Sequence, residues 1–356
     1  MAYLLDIQTA TPPHKHPQDN ILKYMQQTYS LDATDARKLA FLYRKSGIQT
    51  RYSVLDVFSE PVENQSFKFK ENLIQDRMAV YETEALKLSV AAIFPILERQ
   101  KTTPTHLVTV SCTGMQAPGL DIQLCEYFQF QSSIQRTSVN FMGCYAAIHA
   151  LKMASWITTS DADAVVLIVC TELCTLHFQS EFNADTALSD LLFADGSAAV
   201  LIAGENYKPS HEALKFTNFY SELRLTAQTD MTWKIANSGF KMTLTGYVPQ
   251  LIETDFKDFV TKATQKLGLS QSDITDWCIH PGGKKIVEAI EKSLAISKID
   301  LVHSYQILND YGNMSSPTIL FVLKQILDNQ DNKPINVFGA AFGPGLTLES
   351  FILQSV

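Results

Sequence analysis

The stretch Phe141-Met142-Gly143-Cys144-Tyr145-Ala146-Ala147 decides how this chain is read. A short apolar strand, expected over 138–142, meets a glycine, and a helix is expected over 145–158. The glycine permits a sharp turn and close approach by a second molecule. Cys144 then falls at a helix N-terminus, where unpaired backbone N–H groups and the helix dipole favour a thiolate. The strand–turn–helix setting shares the logic of the nucleophile elbow of hydrolases. A buried structural cysteine is nevertheless the commoner role for this residue type. Its company along the chain has to decide.

Two further segments supply that company. In Trp277-Cys278-Ile279-His280-Pro281-Gly282-Gly283 a buried strand delivers His280 at its carboxyl end, and Pro-Gly-Gly turns the chain away. Sites in α/β sheets assemble at that edge. An imidazole there can activate a thiol or donate to an oxyanion, or simply bond to loop backbone. In Asp310-Tyr311-Gly312-Asn313-Met314-Ser315-Ser316-Pro317, Asn313 precedes a helix expected over 315–330. It reads as a helix cap or as an amide donor to developing negative charge.

The whole chain sets bounds on these readings. Its 356 residues are 46% apolar and 19% charged, the balance of a globular protein with a large core. Formal net charge is −8, and no long basic stripe is present, which argues against nucleic acid as a partner. The apolar runs are short, so no membrane span is expected, and the N-terminus reads as a first strand rather than a signal peptide. Cys112, Cys125, Cys144, Cys170, Cys174 and Cys278 match no disulfide framework or metal-site spacing, so free thiols in a reducing cytoplasm are expected. His14 and His16 read as exposed loop residues, not metal ligands.

Strand and helix patterns alternate throughout. Helices are expected over 20–29, 34–46, 75–100, 120–128, 247–267 and 284–294. Strands are expected over 106–112, 164–170, 197–203, 215–223, 276–279, 334–338 and 346–353. This is an α/β protein with largely buried sheets. Two halves of similar order, 1–206 and 207–356, hint at duplication.

Taken in order, Gly143-Cys144, His280 to Gly283, and Gly312 to Ser316 resemble the type III polyketide synthases, the chalcone and stilbene synthase-like branch of the thiolase superfamily. Phe193-Ala194-Asp195-Gly196 and Phe342-Gly343-Pro344-Gly345 are similar to two more family signatures, with Ala194 and Ala341 replacing usual glycines. The resemblance spans nearly the whole chain. It implies a thiolase-like αβαβα layered fold built from two pseudo-duplicated halves. It also implies a homodimer, with no metal or redox cofactor.

The same resemblance implies roles. Cys144 would take the starter acyl group from acyl-CoA. His280 would sustain its thiolate as an ion-pair partner. His280 and Asn313 would stabilise the thioester and malonyl oxygens during decarboxylative condensation with malonyl-CoA. Phe193 aligns with a gatekeeper aromatic, and Met242 stands where a second phenylalanine is usual. Cavity positions align with Cys112, Thr113, Cys174, His177, Trp233 and Ser315, with Trp233 replacing a glycine of plant members. Lys38 and Lys45 align with CoA-phosphate lysines; Phe41 replaces the arginine between them, and Arg44 is the expected substitute. Ala117 takes the place of a residue that reaches into the partner's cavity. A fatty or small aliphatic starter is expected, giving a resorcinol, pyrone or phloroglucinol-type product. The alternatives are a chain-initiating ketoacyl-carrier-protein synthase and a hydroxymethylglutaryl-CoA synthase-like enzyme. The latter needs a glutamate acid, for which Glu82, Glu84 and Glu172 are available.

Overall fold

A computed structural model describes residues 1–59, 67–207, 213–225, 231–244, 248–330 and 333–356. The first half of the chain runs β1 (Ala2–Ala10), β2 (His14–Pro17), α1 (Gln18–Tyr29), α2 (Ala33–Lys45), β3 (Thr50–Ser53), α3 (Ile74–Gln100), β4 (His106–Ser111) and α4 (Leu120–Tyr127). It continues through β5 (Gln135–Asn140), α5 (Ala146–Ser160), β6 (Val165–Leu173), α6 (Ala184–Leu192) and β7 (Asp195–Ala203). The second half holds β8 (Leu214–Leu223), β9 (Met231–Ala236), β10 (Gly239–Leu244), α7 (Val248–Gln265), β11 (Asp276–Ile279) and α8 (Lys284–Leu294). It ends with α9 (Val302–Tyr311), α10 (Thr318–Asp328), β12 (Asn336–Gly343) and β13 (Thr347–Ser355).

The strands join in the order β11-β12-β13-β8-β1-β7-β6-β4-β5. On one side β4 and β6 are parallel, while β7 runs antiparallel to both β6 and β1. On the other, β11 and β12 are parallel, while β13 runs antiparallel to both β12 and β8. The two halves therefore repeat one pairing scheme. They meet at a short ladder of Ala2–Leu4 against Leu214–Phe216.

Burial explains the layering. Strands β6 and β7 are buried at every position, so both their faces must be covered, and they read as continuous apolar runs. Alternate residues of β6, Val165, Leu167 and Val169, pack in one core with Ala85, Leu88, Ala92 and Ile96 of α3. The intervening Val166 and Ile168 pack in a second core with Ile148 and Leu151 of α5 and with Ile319 and Val322 of α10. A third core joins Phe256 and Val260 of α7 and Val287 and Ile290 of α8 to Ile279, Phe338 and Ala340. The order is helix, one half of the sheet, the central pair α5 and α10, the other half of the sheet, helix. The expected αβαβα architecture is what the chain adopts.

Several local expectations are corrected. His14 and His16 lie in β2, paired with β3, rather than in an exposed loop. His16 is buried, with Nδ1 at 2.7 Å from Ser59 Oγ and Nε2 at 2.9 Å from Leu55 O. The helix expected from Ser315 begins at Thr318, because 313–317 form a buried turn in which Met314 N–H donates to Thr318 Oγ1 at 2.8 Å. The helix expected from 247 starts at Val248; residue 247 itself lies outside the described residues. The β9–β10 hairpin and helices α6 and α9 were not expected from sequence.

Candidate active site

Three connections deliver the site. The β5–α5 turn carries Cys144, the end of β11 carries His280, and the α9–α10 connection carries Asn313. The first turn is tight: Phe141 and Gly143 both have positive φ, 59° and 89°. A side chain on Gly143 would also run into the ring of Pro344, so the Phe342–Gly345 loop packs directly on the cysteine turn. The third connection is zipped to the end of α6. Asn313 N–H donates to Leu192 O, and Ala194 N–H donates to Asn313 O, each at 2.9 Å. This bridge places Phe193 beside Asn313.

Cys144, His280, Asn313, Phe193 and Met242 line one cavity of about 30 Å³, room for roughly one water. Met231, Gly282, Ile286 and Phe342 complete its wall; none was expected as lining. Inward, a second cavity of about 20 Å³ shares Cys144, Phe193 and Met242, and is closed by Cys112, Thr113, Cys174, Trp233, Ser315 and Pro344. Outward, Gly282 and Ile286 also line a groove of about 180 Å³ between α2, α6 and α8. The three spaces are neighbours that share wall residues: Gly282 and Ile286 between the groove and the 30 Å³ cavity, and Cys144, Phe193 and Met242 between the two cavities.

The reactive groups are dry. Burial pushes the Cys144 thiol up to about 12, offset in part by the Ser315 hydroxyl at 3.6 Å and by the Asn313 amide. Burial pushes His280 down to about 3. Each group alone is held neutral, so the helix start does not by itself make the thiolate expected from sequence. A thiolate here needs a cation beside it, and His280 is the base lining the same cavity. Among the described residues neither buried ring nitrogen of His280 has a hydrogen-bond partner, which argues against the loop-backbone role. Asn313 serves two ends: Oδ1 accepts from Ser315 N–H at 2.8 Å, and Nδ2 donates to Gly282 O at 3.2 Å. An amide nitrogen has two N–H groups, so one remains for a ligand.

Other expected residues are placed differently. His177 does not line either cavity. Its Nε2–H donates to Thr113 O at 2.8 Å, Nδ1 accepts from Phe240 N–H at 3.1 Å, and its ring stacks on Phe240 at 4.1 Å. It fastens the β9–β10 hairpin one layer behind the wall. Trp233 and Met242 are cross-strand partners in that hairpin, and Trp233 Nε1–H donates to Cys112 O at 2.8 Å. Of the three expected CoA cations only Lys45 lines the outer groove. Lys38 is tied to Asp35 at 2.9 Å on the exposed face, and Arg44 Nε–H folds back to Ala40 O at 3.2 Å.

Glu172 is wholly buried beneath the site. It accepts from Cys112 N–H and Thr113 Oγ1, each at 2.8 Å, and from Ser316 Oγ at 2.6 Å. Burial raises its carboxyl. Those donors occupy it, and it lines neither the 30 Å³ nor the 20 Å³ cavity. That removes it as the free acid of a hydroxymethylglutaryl-CoA synthase-like site. Its signal in the sequence was a lone charge in the apolar run 165–173, which demands buried partners.

Residues 1–206 match the family model of the chalcone and stilbene synthase N-terminal domain, and 221–356 match that of the C-terminal domain. The chain is 29% identical to type III polyketide synthase A of Arabidopsis thaliana, covering 100% of its own length and 93% of the relative. It is 28% identical to a polyketide synthase of Dictyostelium discoideum, of which it spans only 11%. The solved type III polyketide synthase domain of Steely1, a type I/III hybrid from Dictyostelium, superposes with a TM-score of 0.92 at 27% identity, covering 100% of this chain and 99% of that one.

Proposed function

The chain belongs to the chalcone and stilbene synthases, the type III polyketide synthases, and on that premise we propose how its own residues carry the condensation. Cys144 Sγ attacks the thioester carbonyl of an acyl-CoA starter. Its proton passes to His280, and from there to the departing CoA thiolate. Malonyl-CoA then loses carbon dioxide, and the resulting enolate forms a carbon–carbon bond to the acyl carbonyl as Cys144 leaves. His280 Nε2–H and the spare Asn313 N–H stabilise the oxygen on which charge develops. Phe193 and the apolar wall disfavour the malonyl carboxylate and so assist its loss. The observation that carries this reading is that Cys144, His280 and Asn313 line one cavity, with no competing partner on the imidazole among the described residues.

The thiol, imidazole and amide supply this chemistry without a resident metal or redox cofactor. The nucleophile is assigned to an N-terminal half, 1–206, and His280 and Asn313 to a C-terminal half, 207–356. A homodimer is proposed through the edge of the sheet, where β5 is largely exposed and Ala117 lines a separate open cavity of about 360 Å³. A cytoplasmic location fits six free cysteines, five of them buried. No described helix is long and apolar enough to cross a membrane. The product is proposed to be of resorcinol, pyrone or phloroglucinol type from an aliphatic starter. The test is incubation with a series of acyl-CoA starters and malonyl-CoA, without carrier protein, read by mass spectrometry. A pyrone or resorcinol supports the reading; turnover only on a carrier protein overturns it.

A further inference from the structure

Helix α6 ends inside the protein, directly before Phe193, and its last carbonyls need donors. Each of them finds one. Asp190 O accepts from Arg51 Nη1–H at 2.7 Å and from the Tyr43 hydroxyl at 3.4 Å. Leu191 O accepts from Gln18 Nε2–H at 3.0 Å, and Leu192 O from Asn313 N–H at 2.9 Å. Phe193 O accepts from the same Arg51 Nη1 at 2.6 Å. Arg51 Nε–H donates to Gln18 Oε1 at 2.8 Å, so the two side chains brace each other. The guanidinium is buried at the end of the helix whose dipole favours a cation.

The stem of Arg51 meets the other side of the same junction. Gly312, one residue before Asn313, has φ of 72°, and a Cβ there would fall 2.9 Å from Arg51 Cγ and Cδ. Strand β3, which carries Arg51, is also tied to the end of α9: Thr50 Oγ1 donates to Asp310 O at 2.6 Å, and Tyr52 stacks on Tyr311 at 5.6 Å. One side chain thus touches both partners of the bridge between residues 192–194 and Asn313. Burying a guanidinium is costly, and packing alone would be served as well by an apolar side chain. What the guanidinium adds is a grip on two carbonyls and a brace on Gln18.

We propose that Arg51 is a positioning residue for the condensation: by holding Asp190 O and Phe193 O and lying against Gly312, it sets where the spare Asn313 N–H points in the Cys144 cavity. The proposal rests on the catalytic reading of Asn313 above. Arg51 lines neither the 30 Å³ nor the 20 Å³ cavity, so it acts through Asn313 and not on the substrate.

The experiment is a double-mutant cycle in kcat, pairing Arg51→Met and Arg51→Lys with Asn313→Ala. Arg51→Met is expected to lower kcat on the order of tenfold, because a small misplacement of a donor is costly, while KM for malonyl-CoA stays near wild type. Arg51→Lys keeps a cation that can reach the carbonyls but loses the Gln18 brace, so it is expected to lose less; it carries the comparison if Arg51→Met does not fold. In the Asn313→Ala background neither substitution is expected to lower kcat by more than about twofold, since the group they position is gone. Alkylation of Cys144 by iodoacetamide at pH 7 is expected to be unchanged in both Arg51 variants. Equal losses in the two backgrounds overturn the positioning role alone, as does a loss confined to KM or a parallel loss of alkylation, which marks general loosening of the site. Undiminished kcat in Asn313→Ala would instead overturn the catalytic reading of Asn313, and this role for Arg51 with it.

Discussion

Trp233 and Met242 stand opposite each other across the β9–β10 hairpin, and together they close the inner side of the Cys144 cavity. The indole is pinned by its bond to Cys112 O and lies edge-on to His177 and Phe240 at 5.9 Å. An acyl chain on Cys144 that extends into the inner cavity would meet this wall. Trp233→Gly is expected to admit longer starters and shift products to greater length, while Trp233→Phe, which loses only the Nε1 bond, changes them less. Liquid chromatography with mass spectrometry over a starter series checks this; identical product distributions in all three proteins contradict it.

Asn313→Ala removes the spare amide donor. Loss of one such donor costs about 2.7–4 kcal/mol of transition-state stabilisation, on the order of 10²–10³ in kcat. The loss is expected in kcat more than in KM. A change confined to KM is the opposite result.

The proposed pairing of Cys144 with His280 has a pH signature. Without each other's charge the thiol is held near 12, mainly by burial, and the imidazole near 3, so mutual charge stabilisation is what would produce a thiolate near neutrality. Iodoacetamide is expected to alkylate wild-type Cys144 between pH 6 and 8 with a rate that levels off. In His280→Gln the rate falls at least about tenfold and climbs with pH without levelling, as the thiolate fraction grows. Superimposable profiles rule the pairing out.

His177 gives a stability signature. Burial lowers it to about 3, so the unfolded state, near 6.5, binds the proton more readily. Its contribution is complete above about pH 6.5 and is lost as pH falls toward about 3. Asp190 acts in the opposite sense, because burial raises it to about 7 and acid then favours the folded form. The effect must therefore be read as a difference between proteins. The stability of wild type relative to His177→Gln is expected to shrink by about 2 kcal/mol between pH 7 and pH 5. Urea melts measure it, and a pH-independent difference contradicts it.

The layered fold and the meeting of Cys144, His280 and Asn313 were legible because glycine-rich turns after buried strands leave strong local marks. The hairpin wall was not. In β9, Trp233 turns inward while Ile235, on the same alternation, is 57% exposed, so polarity does not alternate as it does on a half-buried strand. His177 was misplaced because alignment gives a position but not the direction of a ring. The lining of the outer groove was hidden for a similar reason. Lys38 and Lys45 share a helix face by spacing, but the groove touches only the last turn of α2, and its other cations come from α8, some 240 residues on.

The most direct test of the central claim is the mass of the peptide containing Cys144 after brief exposure to acyl-CoA alone. The account predicts the mass of one acyl group on Cys144, discharged when malonyl-CoA is added, and none in Cys144→Ala. An acyl group found on Cys112 or Cys174 instead, or extension by Cys144→Ala, would contradict it.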